Sequence, residues 1–260
     1  MKIKMYQVDA FTAKLFGGNP AAVCPLENWL SDEMLHNITM ENNLAETAFY
    51  VNEKEGLRIR WFTPTVEVVL CGHATLATAQ VLFHHEGFKG DEITFNSKSG
   101  PLRVKKNGDL ITLDFPADIV KPSAITEELE KAFNILPVEV WKGKTDYMLV
   151  YNSEDDINNL APDFRILRKA PVRGVIVTSK GNTSDFVSRF FAPGSGIDED
   201  PVTGSAHTLL TPYWAGKLGK NNLTAIQLSP RKGHLQCSVS GDRVLIGGNA
   251  KTYLTGMIEV

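Results

Sequence analysis

The sequence predicts an α+β protein of two similar domains, each a mixed β-sheet or barrel curled around a central helix. Three observations indicate this fold class. The 260 residues suit two domains of about 130 residues each. Short segments of alternating apolar and polar residues dominate the first part of the chain. A strand–strand–loop–helix unit occurs once in each half, which indicates a duplication.

In the first half, alternation predicts a series of strands and residue type predicts two helices. Residues 31–43 favour a surface helix, because Ser31 suits the N-cap and Leu35 and Ile38 share one face. Residues 74–85 are small or apolar on nearly every face, which is typical of a helix inside a protein. The predicted strands are residues 2–11, 47–53, 57–63, 92–97, 101–106 and 110–116.

The internal repeat covers residues 48–83 and 174–214. Each copy has a strand, a polar turn, a second strand ending in Arg-x-Phe-x-Pro, and a loop. Each loop then leads into a Gly-(His/Ser)-Ala sequence at the start of a buried helix, which is Gly72-His73-Ala74 in the first copy and Gly204-Ser205-Ala206 in the second. Prolines and polar residues cluster at 116–124, so we predict an N-terminal domain over 1–118 and a C-terminal domain over 119–260.

Composition excludes several classes of partner. A net charge of −3 argues against nucleic acid, which needs a basic face. No apolar run approaches the roughly 18 residues of a membrane span, and Asp9 interrupts any apolar core of a signal peptide. The three cysteines are widely spaced, without a CxxC motif, which disfavours a disulfide framework or a zinc site and favours the cytoplasm.

The two helix starts are candidate anion sites, since a helix start presents unpaired N–H groups and the positive end of the dipole. Gly72 and Gly204 would let a ligand approach the backbone closely. Facing each other across a cleft between the domains, two such starts would hold a carboxylate or a developing enolate. The alternative is that both are ordinary capped helices.

Three titratable residues are candidates for proton transfer. His73 stands at a helix start, and Asp200 directly precedes Pro201, where it would cap the helix or accept a hydrogen bond from a substrate amine or a histidine. Glu46 lies in an apolar segment, NLAETAFY, which is expected to raise its pKa toward neutrality. Each also has a structural interpretation, and Glu46 would then be a solvent-facing glutamate at a strand end.

Other polar features outside the two helix starts also have interpretations from the sequence. The glycine-rich segment 16–24, FGGNPAAVC, lines a ligand pocket through Asn19 or is a turn alone. Asp198 and Glu199 are expected to be solvated loop charges. His84 and His85 lie some ten residues from His73 at the far end of the same helix, so no metal site is predicted.

Five ordered motifs, spread over nearly the whole chain, resemble those of the phenazine-biosynthesis PhzF-like family, which shares its fold with diaminopimelate epimerase. The resemblance implies two pseudo-symmetric α/β domains with the site in the cleft between them, and a homodimer. It also implies catalysis without a cofactor, since the family enzyme of settled role isomerises trans-2,3-dihydro-3-hydroxyanthranilate by moving a proton. The motifs are YQVDAF, GGNPAAV, NLAETAF, WFTPTVEVVLCGHATLA and DEDPVTGSAH.

The resemblance also implies roles for single residues. The family's catalytic glutamate falls on Glu46, its supporting histidine on His73, its aspartate on Asp200 and its serine on Ser205. The substrate-binding positions are Gly72, Ala74, Gly204, Ser205, Ala206 and Asn19, and the Gly204–Ala206 amides would hold the substrate's carboxylate.

One departure concerns the bases. Diaminopimelate epimerase uses a cysteine at each helix start, whereas this chain has Cys71 at the first and Thr203 at the second. A two-thiol racemase is therefore not expected, and Cys71 is interpreted as a small buried residue.

The sequence thus predicts a cytoplasmic, cofactor-free isomerase that acts on a small carboxylate by general acid/base catalysis. Two alternatives stay open. One is an amino-acid epimerase that uses Cys71 with another base. The other is a ligand-binding or partner-binding protein that has lost turnover. The identity of the substrate does not follow from the resemblance.

Overall fold

The computed structural model describes all 260 residues and contains both α-helices and β-strands, in parallel and antiparallel pairs. The helices are α1 (Asp32–Asn42), α2 (Gly72–His84), α3 (Glu127–Ala132), α4 (Glu154–Asn158), α5 (Phe164–Leu167) and α6 (Gly204–Leu218). The strands are β1 (Lys2–Ala10), β2 (Asn19–Leu26), β3 (Glu46–Glu53), β4 (Gly56–Phe62), β5 (Glu67–Val68), β6 (Glu92–Ser97), β7 (Gly100–Asn107), β8 (Leu110–Pro116), β9 (Lys121–Pro122), β10 (Glu139–Lys142), β11 (Asp146–Val150), β12 (Gly174–Lys180), β13 (Phe186–Ala192), β14 (Ile197–Glu199), β15 (Asn222–Gln227), β16 (Gly233–Ser240), β17 (Arg243–Gly248) and β18 (Ala250–Glu259). None of the helices is long and apolar enough to span a membrane.

The chain forms two compact units, and their bounds differ from the predicted domain ranges at two places, residues 115–118 and residues 247–260. The first unit is Met1–Asp114 together with Gly247–Val260, and the second is Phe115–Ile246. The prediction assigned 247–260 to the second domain. These residues belong to the first unit because β18 pairs antiparallel with β1 over the full length of that strand.

In the first unit, strand pairing gives the order β18–β1–β2–β3–β4–β6–β7–β8, with β2–β3 and β4–β6 parallel and the other pairs antiparallel. Helix α2 contacts β1, β2, β3 and β18. Ten of its residues are buried, including His73 and Thr75, so the expectation of a helix inside the protein is confirmed. Helix α1 contacts β3 and β4, and its Leu35 and Ile38 pack in a cluster with Phe49.

In the second unit the order is β9–β10–β11–β12–β13–β15–β16, with β11–β12 and β13–β15 parallel. Helix α6 packs against β15 and β16 and buries residues from Gly204 to Trp214. The short helices α3, α4 and α5 contribute Leu129, Ile157 and Leu167 to a separate apolar cluster with the strands. Each unit therefore places a largely buried helix against its strands.

The internal repeat extends to single contacts. Arg60 of β4 makes two hydrogen bonds of 2.8 Å to Glu67 of β5, and Arg189 of β13 makes the same pair to Glu199 of β14 at 2.8 and 2.9 Å. Each guanidinium also lies over a phenylalanine two residues further on, at 5.0 Å for Arg60 and 4.8 Å for Arg189. Glu199 is therefore a half-buried ion-pair partner, and the expectation of a solvated loop charge was wrong for it.

The glycine-rich segment 16–24 is a turn only at its beginning. Residues from Asn19 onward form β2, which pairs antiparallel with β1. Gly18 has a φ of 61°, and a Cβ there would lie 2.0 Å from the carbonyl oxygen of Ala10. The turn therefore requires glycine at this position.

Candidate functional site

Glu46 is the first residue of β3, and its position follows from strand pairing. It lies beside Ala21 in the parallel β2–β3 pair, and the residues that follow it, Thr47 and Ala48, are buried. Its own side chain is 19% exposed. The carboxylate therefore stands at the end of a buried strand with limited access to solvent.

Asn19 lies on the same sheet face as Glu46. It is the first residue of β2 and fully buried, two residues before Ala21, the strand partner of Glu46. Side chains two residues apart point to one face of a sheet. Its role in substrate binding stays a prediction.

The start of α2 presents the second part of the site. Cys71 is the N-cap and its side chain makes no capping hydrogen bond. Gly72, His73 and Ala74 form the first turn, whose N–H groups have no partner within the helix and carry the positive end of its dipole. An anionic group beside this turn would be stabilised.

The structure brings Glu46, His73 and Cys71 together. His73 Nε2 lies 3.2 Å from Glu46 Oε2, and His73 Nδ1 lies 3.5 Å from Cys71 Sγ. Cys71 is thus in contact with the histidine that lies beside the predicted catalytic carboxylate. The residue types at 71 and 73 did not reveal this contact, because it depends on the rotamer of His73 at the helix start.

Burial decides the charge of this histidine. His73 is buried, and desolvation lowers its pKa from 6.5 to about 3. At neutral pH the imidazole is therefore uncharged, with one N–H donor and one bare nitrogen. Its Nδ1 lies within hydrogen-bond distance of the Cys71 thiol. Its Nε2 contacts Glu46 Oε2 at 3.2 Å without the alignment of a hydrogen bond.

The same three side chains supply donor atoms that one metal ion could share. The carboxylate oxygen of Glu46, the thiol sulfur of Cys71 and a ring nitrogen of His73 all lie within 4.8 Å of one another. The sequence argument against a metal site used the spacing of the three cysteines and the positions of His84 and His85, and it did not anticipate a donor that comes from β3. His85 instead contacts Thr252 through Nε2 at 2.8 Å.

In the second unit, Asp200 lies between β14 and α6 and is held by a local network. Its carboxylate accepts a short hydrogen bond from the hydroxyl of Thr203, the N-cap residue of α6. Gln227 of β15 accepts from the Thr203 N–H at 2.9 Å and donates to the Asp200 carbonyl at 2.7 Å. Asp200 therefore binds the N-cap hydroxyl and orders the loop that leads into α6.

Gly204, Ser205 and Ala206 form the first turn of α6, as the sequence predicted. The hydroxyl of Ser205 accepts a hydrogen bond of 3.1 Å from Arg173 Nη1. Arg173 also binds both carboxylate oxygens of Asp146, a fully buried side chain at the start of β11. Sequence reasoning missed Arg173 and Asp146, and the signal that could have indicated them was an aspartate at the start of an apolar strand, DYMLV.

The chain is similar to proteins of one family over almost its entire length. The family model described as "Phenazine biosynthesis-like protein" (PhzC-PhzF) matches residues 8–256. An uncharacterised isomerase of Pseudomonas aeruginosa is 51% identical over 260 residues, and the match covers 100% of both chains.

Solved structures show the same likeness. A crystal structure of a phenazine biosynthesis protein of the PhzF family from Enterococcus faecalis has 45% identity and a TM-score of 0.97, with 100% of both chains covered. A hydroxyproline epimerase from Agrobacterium vitis has 10% identity and a TM-score of 0.64, covering 99% of this chain and 92% of its own. The second likeness concerns the fold alone.

Proposed function

We propose, from the premise that the chain belongs to the phenazine biosynthesis-like (PhzC-PhzF) family, that it is an isomerase that moves a proton on a small carboxylate substrate. General acid/base catalysis by Glu46, without a metal or organic cofactor, performs the transfer. The observation that carries the proposal is the contact of 3.2 Å between Glu46 Oε2 and His73 Nε2 at the start of α2. Isomerase is also the word used for the Pseudomonas aeruginosa relative.

In this proposal Glu46 takes a proton from a carbon beside the substrate's carboxylate or carbonyl group and returns it elsewhere. The side chain is largely enclosed, which favours the strong electrostatic interactions that a proton abstraction from carbon needs. His73 is uncharged at neutral pH. Glu46 therefore takes a proton from the substrate and returns it beside a neutral neighbour. The first turn of α2 adds N–H groups that stabilise developing negative charge.

The second unit contributes substrate binding in the same proposal. The Gly204–Ala206 amides at the start of α6 hold the carboxylate, and Arg173 orients the Ser205 hydroxyl beside them. Asp200 orients this helix start through Thr203. That both helix starts serve one substrate stays a prediction.

The test is proton exchange with solvent. The chain is incubated in D₂O with a panel of small amino, hydroxy and unsaturated carboxylates, and deuterium incorporation and isomerisation are followed by NMR. Since a positioned general base contributes about 10²–10⁴-fold, Glu46→Gln should lose a factor of that size. Cys71→Ser should lose far less, and Glu53→Gln, at the other end of the same strand, is the matched control that should keep activity.

Two outcomes would contradict the proposal. If Cys71→Ser is inactive while Glu46→Gln keeps near-normal turnover, the amino-acid epimerase alternative is correct. If no member of the panel exchanges a proton but one binds tightly and specifically, the protein is a binding protein without turnover.

A further inference from the structure

The cluster of Glu46, Cys71 and His73 has a composition that proton transfer alone does not explain. A carboxylate and an imidazole suffice for general acid/base work, yet the histidine's other nitrogen faces a thiol at 3.5 Å. A thiol, an imidazole and a carboxylate are together the donor types that zinc takes from proteins.

The three side chains lie near enough to one another to share one ion after small rotations. Zinc binds sulfur at about 2.3 Å and nitrogen or oxygen at about 2.0–2.2 Å, so tetrahedral ligand atoms are about 3.3–3.8 Å apart. The structure places one donor atom from each of the three side chains within 4.8 Å of the other two. Cys71 Sγ is closest to His73 Nδ1, at 3.5 Å, and Glu46 Oε2 lies 3.2 Å from the other ring nitrogen, Nε2, so an ion shared by all three would bind one of these nitrogens and draw the more distant side chain toward it. Side-chain rotations of about 1–1.5 Å would bring all three onto one ion.

The charges also balance. A thiolate and a carboxylate together neutralise a divalent cation, and a neutral imidazole adds a lone pair without adding charge. Because an enclosed site tolerates ions only when their charges are compensated, this donor set suits a doubly charged cation. Thiolate and imidazole ligands select zinc over magnesium or calcium.

We infer that Glu46, Cys71 and His73 form an inhibitory binding site for a divalent cation of the zinc type. The ion takes the carboxylate of Glu46 as a ligand, so this group can no longer accept a proton. Three protein ligands leave one coordination position for water or for a substrate carboxylate. The inhibitory effect rests on the proposed function, whereas binding of the ion does not.

Cobalt(II) is the probe, because a cobalt–thiolate bond gives a charge-transfer absorption in the near ultraviolet. The full chain, reduced and freed of metal by a chelator, is titrated with cobalt chloride in the absence of substrate. We expect the charge-transfer band to saturate at one equivalent, together with the strong visible bands of a tetrahedral site. One equivalent of zinc should remove both.

Variants assign the band to the cluster. Cys71→Ser should abolish it, and Glu46→Gln and His73→Gln should each weaken cobalt binding by about tenfold or more. The matched control is the double variant His84→Gln/His85→Gln, which removes the imidazoles at the other end of α2 and should leave the titration unchanged. Circular dichroism of each variant checks that it is folded.

Absence of the band, or its persistence in folded Cys71→Ser, would overturn the inference. Turnover is measured separately with chelator and with one equivalent of zinc. Turnover in chelator without any cobalt band would leave the proposed function standing and reject the metal site. A cobalt band at the cluster in a chain that exchanges no proton in chelator would support binding of the ion and reject the proposed function.

Discussion

Arg173 shows how a single residue can join a buried charge to a candidate binding site. Its guanidinium pairs with Asp146, whose side chain is fully buried, and donates to Ser205 at the start of α6. Removing one partner of a buried pair leaves the other charge uncompensated, which costs about 3–5 kcal/mol. The side chain of Arg173 is 40% exposed, so water compensates part of that loss.

We therefore predict that Arg173→Met lowers the free energy of unfolding by about 3 kcal/mol, at the lower end of the range for buried pairs. The double variant Arg173→Met/Asp146→Asn should recover much of this loss, because no unpaired charge remains buried. Urea unfolding of the single and double variants measures both effects. Equal losses in the two proteins would show that Asp146 is not the cause.

At the residue scale, the sequence selects residues that stand out from their neighbours, and their roles stay predictions. Glu46 was identified as a carboxylate among apolar residues, and His73 and Ser205 by their places in the two copies of the repeat. Arg173 and the Cys71–His73 contact were not identified, because each depends on a tertiary approach or a rotamer that local patterns do not encode.

At the scale of elements, the repeat predicted most of the architecture around the site. Each copy was expected to end in a buried helix starting at glycine, and α2 and α6 begin at Gly72 and Gly204. Strand β2 was not predicted, since Pro20 and Pro25 demote its sequence as a strand. Its pairing with β1 and β3 outweighs that local disadvantage.

The turn before β2 makes a prediction at this scale. Gly18→Ala should destabilise the protein by at least about 2 kcal/mol, because a left-handed conformation costs alanine about 1–2 kcal/mol and its Cβ would meet the Ala10 carbonyl oxygen at 2.0 Å. Gly241→Ala is the matched control, since Gly241 has the same φ of 61° with nothing within 4 Å of a Cβ. Thermal unfolding of both variants provides the comparison, and equal shifts would exclude the steric contact as a cause.

For the molecule as a whole, a buried histidine makes stability depend on pH. His207 of α6 is fully buried, and desolvation lowers its pKa from 6.5 to about 4, although its contact with the Thr203 carbonyl opposes the shift. Between these values the unfolded chain binds a proton that the folded protein does not. Stability is therefore lost as the pH falls from about 6.5 to about 4, by up to about 1.4 kcal/mol per pH unit.

We predict that His207→Gln flattens the dependence of unfolding free energy on pH by up to about 1.4 kcal/mol per unit between pH 4 and 6. Urea unfolding at a series of pH values measures the slope for the parent chain and the variant. Above pH 7 the two slopes should coincide, whatever the difference in absolute stability. Identical slopes below pH 6 would mean that the histidine is protonated in the folded state.

The return of β18 to the first unit has a consequence for synthesis on the ribosome. The second unit, Phe115–Ile246, is one continuous stretch that is translated between the two parts of the first. Strand β1 is made early, yet its antiparallel partner β18 follows the entire second unit. Until β18 is made, one edge of β1 therefore has no strand partner for its backbone groups. The second unit can complete its fold during translation before the first unit does.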